Sequence, residues 1–166
     1  MKAPMKGAER VRAALETAGL RVQVVELEKS ARTAQLAADA LGVPLGSIVK
    51  SLLFLADGEP VLVLVAGDRR ADSAKLKMLL GARRVMIADA GRVRQETGFS
   101  IGGVPPTGHR RPLPTWIDES LGRFETVYAA AGHPRAVFPI SFEELVRITN
   151  GRVADVTGTL TKGMRK

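Results

Sequence analysis

Gly102, Gly103, Val104, Pro105, Pro106, Thr107, Gly108 and His109 make up the stretch of this chain with the clearest chemical potential. Two glycines followed by two prolines fit neither a helix interior nor a central strand. Glycine admits positive φ, while proline fixes φ and removes a donor. The expected product is a stiff loop with exposed backbone N–H groups, suited to an oxygen that develops negative charge. A plain surface turn would have the same composition. Lys50 is the second candidate, because it interrupts the apolar run from Ile48 to Phe54. A cation there must snorkel out or meet an anion, although a solvated edge strand also accommodates one. Thr33 is explained in full as a helix cap, and its hydroxyl is also able to face a ligand. Asp118 reads first as a local cap or ion-pair partner, and only then as a general base.

Several chemistries are excluded by what the chain lacks. It has no H-E-x-x-H pair and no P-loop, and Gly98–Gly103 does not carry a dinucleotide fingerprint from a strand into a helix. With no cysteine there is no thiolate nucleophile and no cysteine-based metal site. The only histidines are His109 and His133, and Arg110 and Arg111 beside the first would oppose a cation. Neither a metal nor a cofactor is expected.

The chain carries 25 Lys and Arg against 17 Asp and Glu, a formal charge of +8. Such a field favours a polyanionic partner. Part of it lies at the ends, in Lys2, Lys6, Lys162, Arg165 and Lys166. One Trp, one Tyr and five Phe are too few for a single-strand stacking platform. At 166 residues and 45% hydrophobic content, one domain over 1–166 with a real core is expected. Apolar runs such as Val61–Val65 are too short to span a bilayer, and Met1–Lys6 lacks the apolar stretch of a secretory signal. A cytoplasmic setting without a membrane partner follows as the expectation.

The elements that must position these residues follow from periodicity and turn chemistry. Val11, Leu15 and Ala18 share a helical face that Gly19 ends, and Val22–Leu27 alternates as a strand. Thr33 caps Ala34–Leu41, which Gly42 and Pro44 terminate. Ile48–Leu55 and Pro60–Ala66 read as strands joined through Asp57 and Gly58. Asp72 or Ser73 caps a helix through Leu80, Val85–Ala88 reads as a strand, and Asp89 caps a helix ending at Gly98. Beyond the loop come a strand at Trp116–Asp118, a helical turn through Phe124 and a strand at Thr126–Ala130. Gly132, His133 and Pro134 then turn the chain into Ala136–Ile140. Ser141 and Glu144 form a capping box for Phe142–Thr149, closed by Asn150 and Gly151. A last strand, Val153–Val156, precedes a basic tail. Strands in runs with helices irregularly between them indicate an α+β fold.

Four blocks in order carry a family resemblance. They are Thr33–Val43 with Ile48–Leu52, Gly102–Pro106 as a G-x-x-x-P loop, Leu113–Asp118, and Val127–Gly132. Over about residues 8–157 the chain resembles the YbaK and prolyl-tRNA-synthetase-associated editing domains. The resemblance implies a mixed, barrel-like sheet flanked by helices, and a free-standing deacylase of mischarged tRNA. Its partners would be the tRNA 3′ acceptor end and an aminoacyl-tRNA synthetase. On that pattern Lys50 is the essential lysine near the terminal adenosine and its phosphate, and Gly102 begins the loop that orients the ester. Thr33, Ser51, Gly103, Val104, Pro105, Pro106, His109, Asp118, Gly132 and His133 are the implied substrate-binding set. The substrate's ribose 2′-hydroxyl would help activate the reaction centre, in keeping with the missing general base. Alanine, cysteine, serine and threonine are all open as the amino acid removed. A tRNA- or nucleotide-binding module without turnover is the alternative.

Overall fold

The computed structural model describes residues 6–159. Helix α1 (Lys6–Thr17) buries Ala8, Val11 and Leu15, which recur at the spacing of one helical face. Strand β1 (Val25–Glu26) is short. Helix α2 (Ala34–Leu41) starts at Thr33, whose side-chain oxygen accepts the Leu36 N–H at 3.1 Å. A 3₁₀ turn at Leu45–Ser47 feeds β2 (Val49–Ala56), which pairs with β3 (Glu59–Ala66). Asp57 and Gly58 between them have φ of 50° and 87°, the doubly positive geometry that matches strand twist. The Asp57 carboxylate also accepts the Arg84 N–H at 2.9 Å and so ties the hairpin end to the chain entering the strand at Val85–Ile87. Val61–Ala66 are all buried, as a strand covered on both faces requires.

Next come β4 (Arg69–Ala71), α3 (Ser73–Leu80), β5 (Val85–Ile87) and α4 (Ala90–Thr97). Asp72 caps α3 through the amides of Ala74 and Lys75, and Asp89 caps α4 through that of Arg92. After the long loop follow β6 (Thr115–Asp118), a 3₁₀ segment at Glu119–Arg123, β7 (Thr126–His133) and β8 (Ala136–Ser141). Helix α5 (Phe142–Thr149), β9 (Arg152–Ala154) and β10 (Thr157–Thr159) complete the described chain.

The strands form sheets in the orders β5-β2-β3-β6-β9, β1-β8-β7 and β10-β4. Pairs β3–β6 and β6–β9 are parallel and the remainder antiparallel, so this is the expected α+β fold with mixed sheets flanked by helices. The two larger sheets share one core. Leu62, Leu64 and Ile117 meet Val127, Ala129 and Phe138 there, with Leu15 of α1 and Leu145 of α5 closing its ends. Each of the Val, Leu, Ile and Phe side chains contributes roughly 1.5–3 kcal/mol by burial. The other face of the five-stranded sheet is covered by Leu76 and Val156. Among the described residues a single isolated parallel bridge, from Ile48 just before β2 to Tyr128 of β7, links these two strands.

Local chemistry misplaces four features, each for a tertiary reason. The first strand shrinks to Val25–Glu26, because its partner β8 starts only at Ala136; the Leu27 amide still reaches the Arg135 carbonyl in the same register, at 2.6 Å. Gly132 and His133 belong to β7 and not to the turn, which falls at Pro134 and Arg135; a register shift lies between Ala130 and His133. The strand expected at Val153–Val156 ends at Ala154 in β9, and the chain breaks before β10, since Asp118 Oδ1 accepts the Val156 N–H at 2.9 Å and the Asp72 N–H donates to the Val156 carbonyl at 2.8 Å. The capping box is half made: Ser141 accepts the Glu144 N–H, while the Glu144 carboxylate turns to Arg147. The basic tail lies outside the described residues.

Candidate functional site

A cleft of about 310 Å³ opens where β2 and β7 part company. Lys50 and Ser51 reach it from β2, Thr33 from the start of α2, Gly102 and Val104 from the loop, and His133 from the end of β7. Most of the remaining wall is small and apolar, and among the described residues no carboxylate lines it. Arg32 and Tyr128 also line it without having been expected. Their sequence signals were a cation directly before a helix cap and the chain's single tyrosine.

Lys50 is half-buried, and its Nζ donates to the Arg69 carbonyl at 2.6 Å. That bond aims the ammonium along the strand end instead of letting it drift into solvent. Burial first, and then the neighbouring Arg70, hold its pKa below the ordinary lysine range, with Asp68 opposing them. Asp68 itself is gripped by Arg123 at 2.7 and 3.0 Å. A cation without a carboxylate in contact is suited to an incoming phosphate.

The Gly/Pro loop is stiff for more reasons than its prolines. Buried Glu96 binds Arg92 at 2.8 Å and Arg111 at 2.6 Å, which pins the loop's far end to α4. Thr97 Oγ1 accepts the Phe99 N–H at 3.0 Å, and the Thr97 carbonyl accepts the Arg110 N–H. His109 Nε2 lies 2.7 Å from the Pro105 carbonyl, so a proton on Nε2 closes the loop from within. Burial holds the His109 pKa below its ordinary value, against the opposing hydrogen bond to Pro105. The Gly103 amide is spent on the Ser100 carbonyl at 3.0 Å, contrary to a loop with all its N–H groups exposed, while Gly102 and Val104 on either side of it line the cleft. Gly102 has φ of 93°, and a Cβ there would come within 3.3 Å of Arg32 Cγ.

The remaining candidates lie elsewhere. Gly103, Pro105, Pro106 and His109 are loop residues outside the cleft lining. Gly103 packs on the backbone of His133, where a Cβ would meet its Cα at 3.0 Å. Gly132 presses against Gly7 of α1 and Phe99. Asp118 is buried, and it accepts from the Ser120 amide and hydroxyl and from the Val156 amide. His133 Nδ1 accepts the Arg135 N–H at 3.0 Å, which leaves the neutral ring's proton on Nε2. Among the described residues no group of three or more His, Asp or Glu could hold a metal ion, and no helix is long and apolar enough to cross a membrane.

The sequence matches the family model of the aminoacyl-tRNA editing domain over residues 28–148. It is 35% identical over 131 residues to the uncharacterized protein YwhH of Bacillus subtilis (strain 168), a match covering 78% of this chain and 83% of that one. Identity is 26% over 126 residues to the "Putative Cys-tRNA(Pro)/Cys-tRNA(Cys) deacylase EbsC" of Enterococcus faecalis (strain ATCC 700802 / V583), covering 75% and 77% of the two chains. The fold superposes on a crystal structure described as a "putative trans-editing enzyme for prolyl tRNA synthetase" with a TM-score of 0.89 and 44% identity, covering 94% of this chain and 99% of that one. Against a proline–tRNA ligase of Nitratidesulfovibrio vulgaris the match covers only 12% of the larger enzyme. The chain belongs to the aminoacyl-tRNA editing domain family, the YbaK and prolyl-tRNA-synthetase-associated group.

Proposed function

We propose that this protein is a free-standing deacylase that hydrolyses the ester of mischarged tRNA carrying a small amino acid. Water adds across the acyl–oxygen bond, releasing the amino acid, a ribose hydroxyl and a proton. The observation that carries this reading is the convergence of Lys50, the Gly102 loop and His133 on one small-walled cleft without a carboxylate. Lys50 holds a phosphate of the terminal nucleotide. The Gly102 and Val104 amides face the carbonyl oxygen as it gains charge. An α-amino ester is already activated, so alignment and oxyanion stabilisation supply much of the barrier reduction. The cleft acts as a size sieve that excludes the larger cognate residue. The setting is cytoplasmic, beside an aminoacyl-tRNA synthetase. Relatives named for tRNA deacylation and for editing beside prolyl-tRNA synthetase support the substrate class.

The test is hydrolysis of tRNAs mischarged with alanine, cysteine, serine or threonine, beside correctly charged tRNA. Turnover of at least one small aminoacyl ester with sparing of the cognate one is expected. Tight binding of all with turnover of none would leave a binding module instead.

A further inference from the structure

We infer that the Ser51 hydroxyl determines specificity for the amino-acid part of the substrate, favouring a small side chain that bears a hydroxyl or thiol over the methyl of alanine. This rests on the deacylase reading and names the substrate class within it. Among the described residues, Ser51 Oγ is the buried side-chain polar atom without a hydrogen-bond partner. A buried hydroxyl left unpaired is costly, so its persistence asks for a function.

Three other polar side chains of the cleft have partners in the free protein. Thr33 holds the Leu36 amide, Lys50 the Arg69 carbonyl and His133 Nδ1 the Arg135 amide. Ser51 also stands at a gap in strand pairing. The Gly67 amide bonds the Ile48 carbonyl, which sets the ladder so that Ser51, opposite Leu64, directs its own N–H and C=O away from β3. On that side β5 pairs with β2 only over Phe54–Ala56, and β7 bridges it only at Ile48. The residue itself is partly exposed while its oxygen is turned into the wall, so rotation between χ1 wells is the motion that meets a ligand. Ile48, Val104, Ala130 and Val137, which line the same cleft, suit one or two carbons, not a ribose or phosphate. A substrate hydroxyl or thiol both donates and accepts there. The methyl of alanine leaves the defect unrepaired, the asymmetry that makes polar readout selective.

The test compares kcat/KM of the full chain and Ser51→Ala on seryl-, cysteinyl- and alanyl-tRNA. The ratio of seryl or cysteinyl to alanyl activity should fall at least about tenfold in the variant. The melting temperature should stay level or rise, because the deleted oxygen bonds nothing in the free protein. An unchanged ratio, or a lowered melting temperature, overturns the assignment. If the wild-type protein hydrolyses none of the esters, the deacylase reading fails separately. Binding of amide-linked seryl- and alanyl-aminoadenosine then decides Ser51. A seryl preference lost in the variant upholds the assignment, and equal affinities overturn it.

Discussion

Lys50 and His109 show how similar residue-level signals diverge once their neighbours are known. Lys50 is tethered to the Arg69 carbonyl at the cleft, where its charge is available to a ligand. Lys50→Ala should remove most deacylation and keep the fold, since losing one charge-assisted contact to phosphate costs about 1.5–3 kcal/mol. Lys50→Arg should rescue only part, the planar fork being a different shape. Single-turnover hydrolysis and melting on the same preparations check both. His109 is instead an internal strut against Pro105. Its lowered pKa means that the unfolded chain binds the proton more readily. Its contribution to stability is therefore full above the ordinary histidine value of about 6.5 and is lost as pH falls through the lower folded value. Wild-type melting should drop on acidification over that window, and His109→Gln should flatten this part of the profile. An unchanged profile in the variant would detach His109 from the loop's stability.

At the scale of elements, the loop and the strand ends decide the site. Gly102→Val should damage turnover more than stability. The side chain meets a flexible arginine but needs a positive φ that a β-branched residue resists, at the point where the ester approaches the amides. Gly103→Val should instead lower the melting temperature as well, because the added carbon meets the backbone of His133. Melting and turnover measured together separate the two. The caps at Thr33, Asp72, Asp89 and Ser141 and the Asp57–Gly58 turn were legible in the sequence, since each is a bond or dihedral preference satisfied within a few residues. The split at Val156 was not, because the carboxylate that bends the chain belongs to Asp118, far away in sequence. Gly132 reads locally as a turn residue. Its place in β7 is set by the close approach of Gly7, a contact no local pattern encodes. Likewise Lys50, the Gly102 loop and Thr33 were visible one by one as candidates, but the unpaired edge of β2 that brings them to one cleft depends on the whole sheet order.

On the scale of the whole molecule, a chain of formal charge +8 folds so that Lys50 and Arg32 border a cleft without acidic lining. In the function proposed above, that field draws in the tRNA polyanion and the cleft holds its reactive end. Among the described residues no hydrogen-bonded nucleophile and base line the cleft, and Asp118, the carboxylate that reads as a base, is occupied elsewhere in the fold. In this account the protein supplies placement, and the tRNA supplies the 2′-hydroxyl that hydrogen-bonds beside the ester carbonyl. The most direct test is single-turnover hydrolysis of one mischarged tRNA ending in adenosine and the same tRNA ending in 2′-deoxyadenosine. Both should bind, because the phosphate contacts are common to them. The deoxy substrate should react at least about tenfold more slowly, a barrier change of about 1.4 kcal/mol. Equal rates would contradict the account and return the search for a catalytic group to the protein's own side chains.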